Sequence, residues 1–212
     1  MPGTGASSLI LKPQRSKIKN EASETYAIAL GANVKATAYG ACAFGTSNQA
    51  TGEGSIAAGG SSTASGKNSF AIGFKVEARG LYAHAQGERT KAIGDVSYAE
   101  GYYTEASAWA AHAEGRNTAA LGANSHAEGR ETQAKGEASH TGGQYTYALG
   151  AASFAHGKYI NAIGSNSYAE GSANTLLPDT ITFKDIAISL KEPFESSNNI
   201  GLLKYFRIKD FW

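Results

Sequence analysis

The side chains best equipped for chemistry in this chain are four histidines, His84, His112, His126 and His140, spaced at multiples of fourteen residues. Glu114 and Glu128 stand two positions after two of them, so Ser125, His126 and Glu128 offer a hydroxyl, an imidazole and a carboxylate within four residues. The equivalent run at His112 begins with Ala111 and has no hydroxyl. In a strand, Ser125 and Ala127 would face one way and His126 and Glu128 the other, so the hydroxyl and the imidazole cannot meet. No catalytic residue is expected. Imidazoles in one phase could bind zinc or nickel if a symmetry axis gathered them into rings. The reading adopted is a polar stretch in which they hydrogen-bond to Glu100, Glu114 and Glu128, with no metal and no cofactor. Cys42 is the sole cysteine, which excludes an intrachain disulfide and a cysteine metal site. Gly52-x-Gly54-x-x-Ala57 lacks the strand-to-helix setting that gives dinucleotide-binding glycines their use.

What positions these residues is a repeat. Glycine supplies 26 of 212 residues, and stepping by seven from Gly31 to Gly171 meets glycine at every position except Ala38 and Ala108. Alanine stands two residues before each of these positions except Gly143, which has Thr141; four before is usually Ser or Thr. Tiny and variable residues therefore alternate with period two, the mark of a short strand with one crowded face. The residue three before glycine alternates in character between consecutive units. One phase holds Ile28, Cys42, Ile56, Phe70, His84, Tyr98, His112, His126, His140, Phe154 and Tyr168, whereas the other is mostly polar. The true period is fourteen. The expected fold is all-β, a parallel β-roll (solenoid) with two short strands per fourteen-residue coil, each of five residues and joined by two-residue turns. Small residues fill the interior, and glycine supplies the positive φ of the corners. Ten coil steps at roughly 4.8 Å give a rod of about 48 Å.

An interior of alanine buries little area, while ordering each residue costs roughly 1–2 kcal/mol of backbone entropy. The outward stripe Ile28, Leu30, Phe44, Ile56, Phe70, Ile72, His84, Tyr98, His112, His126, His140, Phe154 and Tyr168 is therefore expected to pack against copies of itself. The pattern alone does not choose three copies over two.

Units such as Ala27-Ile28-Ala29-Leu30-Gly31 and Ser69-Phe70-Ala71-Ile72-Gly73 resemble the YadA-like head repeats of trimeric autotransporter adhesins, over about 150 residues. The resemblance implies a homotrimer of left-handed β-rolls that attaches to a cell surface. Ser97-Tyr98-Ala99-Glu100-Gly101, Ser125-His126-Ala127-Glu128-Gly129 and Ser167-Tyr168-Ala169-Glu170-Gly171 are more similar to repeats of phage and prophage tail-fibre proteins. Leu9, Ile10 and Leu11 make no signal-peptide core, and no coiled-coil stalk or membrane barrel is visible. The expectation is a virion tail-fibre component made in the cytoplasm, ahead of a bacterial surface adhesin or a plain structural spacer.

With 19 basic and 18 acidic residues, no nucleic-acid partner and no membrane insertion are expected. A calcium-binding roll needs aspartates at fixed offsets, and between positions 25 and 173 only Asp95 is present. Acyltransferase solenoids repeat every six residues rather than seven. The aromatic residues Tyr82, Tyr102, Tyr103, Trp109, Tyr145 and Tyr159 fall just after the glycines, outside both core and ladders, where they could contact a cell-surface glycan or protein receptor. Arg89, Arg116 and Arg130 stand nearby in sequence phase, and Trp109 is expected close to Tyr102 and Tyr103. Three segments result: an arm or joint over 1–24 that could meet other fibre or tail proteins, the roll over 25–173, and a short β-rich cap or connector over 174–212. The cap holds one strand-like run, Ile181 to Leu190, and ends in Phe211-Trp212.

Overall fold

The computed structural model describes residues 9–11, 19–173, 175–176, 180–183 and 186–189, with no helix among them. The fourteen-residue period becomes a solenoid. Each coil contributes one strand to each of two twelve-stranded parallel sheets, and strand partners lie fourteen residues apart along the regular part: His84 pairs with Phe70 and Tyr98, Glu77 with Thr63 and Lys91. The ladders start at Leu9–Leu11, which pairs with Ile28–Leu30, and run to Thr175–Leu176, which pairs with Asn161–Ala162. The division into arm, roll and cap remains a proposal. Where one strand-like run is expected over Ile181–Leu190, the described residues form two strands, Thr180–Phe183 and Ile186–Ser189, paired antiparallel; Phe211 and Trp212 lie outside the described residues.

The two sheets are unequal, a correction to the expectation of two five-residue strands. Most coils pair a five-residue strand such as Phe70–Phe74 with a two-residue strand such as Glu77–Ala78. After the short strand the chain turns at once: the amide of Ser69 donates to the carbonyl of Gly66 at 3.2 Å and closes a four-residue turn with Asn68 at φ 53°. A turn of this kind takes the backbone out of extended geometry early.

Four side chains per coil point inward, two from each sheet, as Ser69, Ala71, Val76 and Ala78 do. The alanines of this core are buried all along the rod. One inward position is roomier than a methyl group. The residue before most of the short strands is Val34, Asn48, Val76, Thr90, Thr104, Thr118, Thr132, Thr146 or Ile160, every one fully buried. There Asn48 accepts from the amide of Ser62 at 2.8 Å and donates to the carbonyl of Gly59 at 2.8 Å, so its burial leaves no amide group unpaired.

The glycines do not all serve as corners, the second correction. In the long-strand phase they adopt torsions open to glycine, as at Gly101 with φ 111°, and every one of these positions is glycine. In the short-strand phase φ is not positive, and what requires glycine is close approach: a Cβ on Gly66 would overlap the carbonyl of Gly80 in the next coil. Ala38 and Ala108, the two breaks in the series, both fall in this second phase. The corners themselves are made by the residue two after glycine. It has φ near +55° even when it is Tyr82, Val96, Tyr103 or Tyr145.

Val96 is the least suited of these, because a β-branched side chain pays most in the left-handed region. It is exposed, so its removal loses little packing. Val96→Asn is expected to raise stability by roughly 1 kcal/mol, whereas Gly101→Ala, which adds a methyl group against the Gly115 carbonyl at a forbidden torsion, is expected to lower the melting temperature by several degrees. Thermal unfolding followed by circular dichroism measures both, and an unchanged melt for Gly101→Ala contradicts the assignment.

Candidate functional site

Because every coil repeats the last, each outward position becomes a column along the rod, and the long-strand sheet carries the most distinctive one. Phe70, His84, Tyr98, His112, His126, His140, Phe154 and Tyr168 place their rings in an unbroken pile. Neighbouring centroids are 4.5–5.1 Å apart, with His112 and His126 stacked at 7° and Phe154 and Tyr168 at 4°. Offset and edge contacts of this kind add roughly 0.5–1.5 kcal/mol per pair beyond area burial. Ile28, Cys42 and Ile56 continue the column toward the N-terminal end, and Leu30, Phe44 and Ile72 stand beside it. All are half-buried in a single roll except Tyr168, which is exposed. The residues expected to form an interface therefore share one face.

Parallel to the rings runs a polar column, where Gln86, Glu100, Glu114 and Glu128 line an open groove floored by Gly87, Gly101, Gly115 and Gly129. Carboxylates in register one strand apart repel, a cost their neighbours must offset. The Tyr98 hydroxyl donates to Glu100 at 3.2 Å. Burial first, and then this bond, raise its phenol above the usual range. His126 Nε2 lies 3.6 Å from Glu114, and His140 Nε2 lies 3.5 Å from Glu128, each imidazole reaching back to the carboxylate of the preceding coil. Burial and then the imidazole of His126 lower His140, although Glu128 pulls the other way. The sequence predicts hydrogen bonds from the histidines to Glu100, Glu114 and Glu128; the structure brings His126 and His140 near Glu114 and Glu128, whereas Glu100 accepts from Tyr98. The sequence did not show the diagonal reach, or that the Nε2 atoms of His84, His112 and His126 are shielded from solvent yet make no hydrogen bond among the described residues.

Ser125 is inside the roll and His126 outside it, so the tempting nucleophile and base are separated by the strand itself.

The aromatic turn residues divide between two columns of corners, which corrects the expected closeness of Trp109 to Tyr102 and Tyr103. Tyr102 ends a long strand, the corners that follow the long strands carry Tyr103, Tyr145 and Tyr159, and corners that follow the short strands carry Tyr82 and Trp109. Seven residues separate the two kinds of unit, and that half-coil carries the chain across the roll. On the first edge the rings interleave with cations. Arg89 lies over Tyr103 at 4.9 Å and hydrogen-bonds its hydroxyl; Arg116 lies 5.8 Å from Tyr102 and Arg130 5.8 Å from Tyr145; Tyr145 stacks on Tyr159 at 5.1 Å. Lys75 on Phe74 and Lys158 on Tyr159, both at 5.2 Å, extend the strip, and the unit pattern placed these residues there without marking them. The second edge is less ordered: Tyr82 and Trp109 are well exposed, and the only aromatic contact there among the described residues joins Tyr26 to Tyr39.

Both edges hydrogen-bond along the rod, so the turn residues are outside the core but not outside the ladders. Tyr103 N–H donates to Glu88 at 2.9 Å, Tyr82 N–H to Lys67 at 2.9 Å and Asn124 N–H to Trp109 at 2.9 Å. Exposed rings are thus carried on fixed backbone.

Residues 36–62, 50–75 and 113–132 match the YadA head domain repeat. The first two stretches are offset by one fourteen-residue coil, the period of the ladders. The chain carries YadA-like head repeats, arranged as the repeat protein and β-roll that such units build. No curated protein matches the chain.

Proposed function

We propose that the chain is a non-enzymatic attachment module that works as a homotrimer of left-handed rolls on an exposed surface. The observation that carries this reading is the ring-and-aliphatic column from Ile28 to Tyr168. It is the largest assembly of bulky side chains in the roll, and it lies outside a core made mainly of methyl and hydroxyl groups. Covering it with like columns supplies burial that one roll lacks. A match to an adhesin head repeat favours three copies and surface attachment.

Within that reading the setting we favour is a phage or prophage tail fibre. The Tyr-Ala-Glu-Gly and His-Ala-Glu-Gly units at 98–101, 112–115, 126–129 and 168–171 support it. The head of a bacterial trimeric autotransporter-type adhesin is the alternative, favoured by the family match. The receptor strip is the edge that presents Tyr102, Tyr103, Tyr145 and Tyr159 among Arg89, Arg116 and Arg130, since planar rings flanked by guanidinium groups suit both sugar faces and protein side chains. Tyr82 and Trp109 on the other edge form a second, smaller contact surface.

Light scattering on the purified chain is expected to give about three times the 22.0 kDa chain mass. Phe70→Glu combined with Ile72→Glu should shift it toward the single-chain value, and a stable monomer with wild-type residues contradicts the assembly. In cell- and glycan-binding assays, Tyr102→Ala with Tyr103→Ala is expected to weaken binding at least tenfold without altering the melt. Tyr82→Ala with Trp109→Ala should have a smaller effect. Binding that neither double variant changes removes the proposed receptor strip.

A further inference from the structure

We propose that Glu114, His126 and Glu128 form a binding site for a zinc-class divalent transition ion on the long-strand face. One ligand atom from each lies within 4.8 Å of the other two. The site spans two adjacent coils of a single chain: Glu114 comes from one, His126 and Glu128 from the next, and the imidazole leans back across the coil step toward the first carboxylate. It therefore differs from rings gathered on a symmetry axis, because one roll completes it.

Three features point to a ligand rather than a closed polar network. His126 Nε2 is shielded from water and has no hydrogen-bond partner among the described residues, so a strong acceptor of protons or metal is left without one. Glu114 and Glu128 occupy the same column one coil apart, and a dication between them replaces repulsion with attraction. The carboxylates also line the open groove, which leaves room for water or another group to complete the coordination. Around zinc, with bonds of about 2.0–2.2 Å, ligand atoms stand about 3.3 Å apart, so the three side chains need to close by at most about 1.5 Å. All three are half-exposed and can make that adjustment by rotation. One imidazole with two carboxylates suits Zn²⁺ or Ni²⁺ better than Mg²⁺ or Ca²⁺, which favour all-oxygen sites.

Isothermal titration of the untagged chain with ZnCl2, with CaCl2 and MgCl2 as competitors, tests the site. The expected result is one saturable equivalent per chain, weakened at least tenfold in Glu114→Gln and in His126→Gln. It should be unchanged in His84→Gln, an imidazole of the same column beside Gln86 rather than a glutamate. Co²⁺ bound to the same chain should show a visible absorption band that both ligand variants lose, and circular dichroism confirms that each variant keeps the roll. Absence of saturable binding overturns the proposal, as does equal affinity across the variants or displacement by calcium or magnesium at equal concentration. Stoichiometry is counted per chain, so the outcome is independent of how many chains assemble.

Discussion

The features of the roll follow from coils that stack in register through parallel hydrogen bonds at a step of fourteen residues. With partners fixed at that separation, a side chain at one position meets the same position above and below, and choices made once in the repeat become columns. The approach of one coil to the next is close enough that a Cβ at Gly66 has no space, and the two sheets admit at most a Val, Thr, Asn or Ile between them. Bulk has to go outside. The rings and the carboxylates are exterior columns generated by that exclusion, with the arginines along a corner beside them, and the spacing of the columns is the coil step rather than the outcome of local packing.

Much of this was legible in the sequence because small side chains on a period of seven and a change of character on a period of fourteen have one physical solution. The residues that face inward, the shared face of Phe70, His84 and Tyr98, and the separation of Ser125 from His126 all come from alternation. What alternation does not encode is the path of the chain between strands. Trp109 and Tyr102 are seven residues apart and look like neighbours, yet half a coil carries the chain from one edge to the other. The short strands shrank to two residues because their turns begin immediately, a property of Gly66 to Asn68 and their equivalents that the unit pattern shares with the long strands. Likewise glycine marks both phases identically in sequence, although close approach of the next coil constrains both and only the long-strand phase adds a torsional demand.

Chemistry on such a scaffold is written diagonally as well as along columns. His126 meets Glu114 and His140 meets Glu128 because an imidazole is long enough to span one coil step, a relation at a spacing of twelve residues that neither period displays. The receptor strip and the ion site proposed here occupy different parts of the same repeat, the corner and the strand, so a change in one column leaves the other in place. That separation suits a module whose shape is constant while its exposed residues vary from coil to coil.

Residue-resolved amide hydrogen exchange tests the stacking constraint most directly. If coils are joined through corners as well as strands, the amides of Tyr82, Arg89, Val96 and Tyr103, which donate to the preceding coil at 2.7–2.9 Å, will be protected to the same degree as the strand amides of His84 and Tyr98. Corner amides that exchange like those of free loops, beside protected strands, would contradict it.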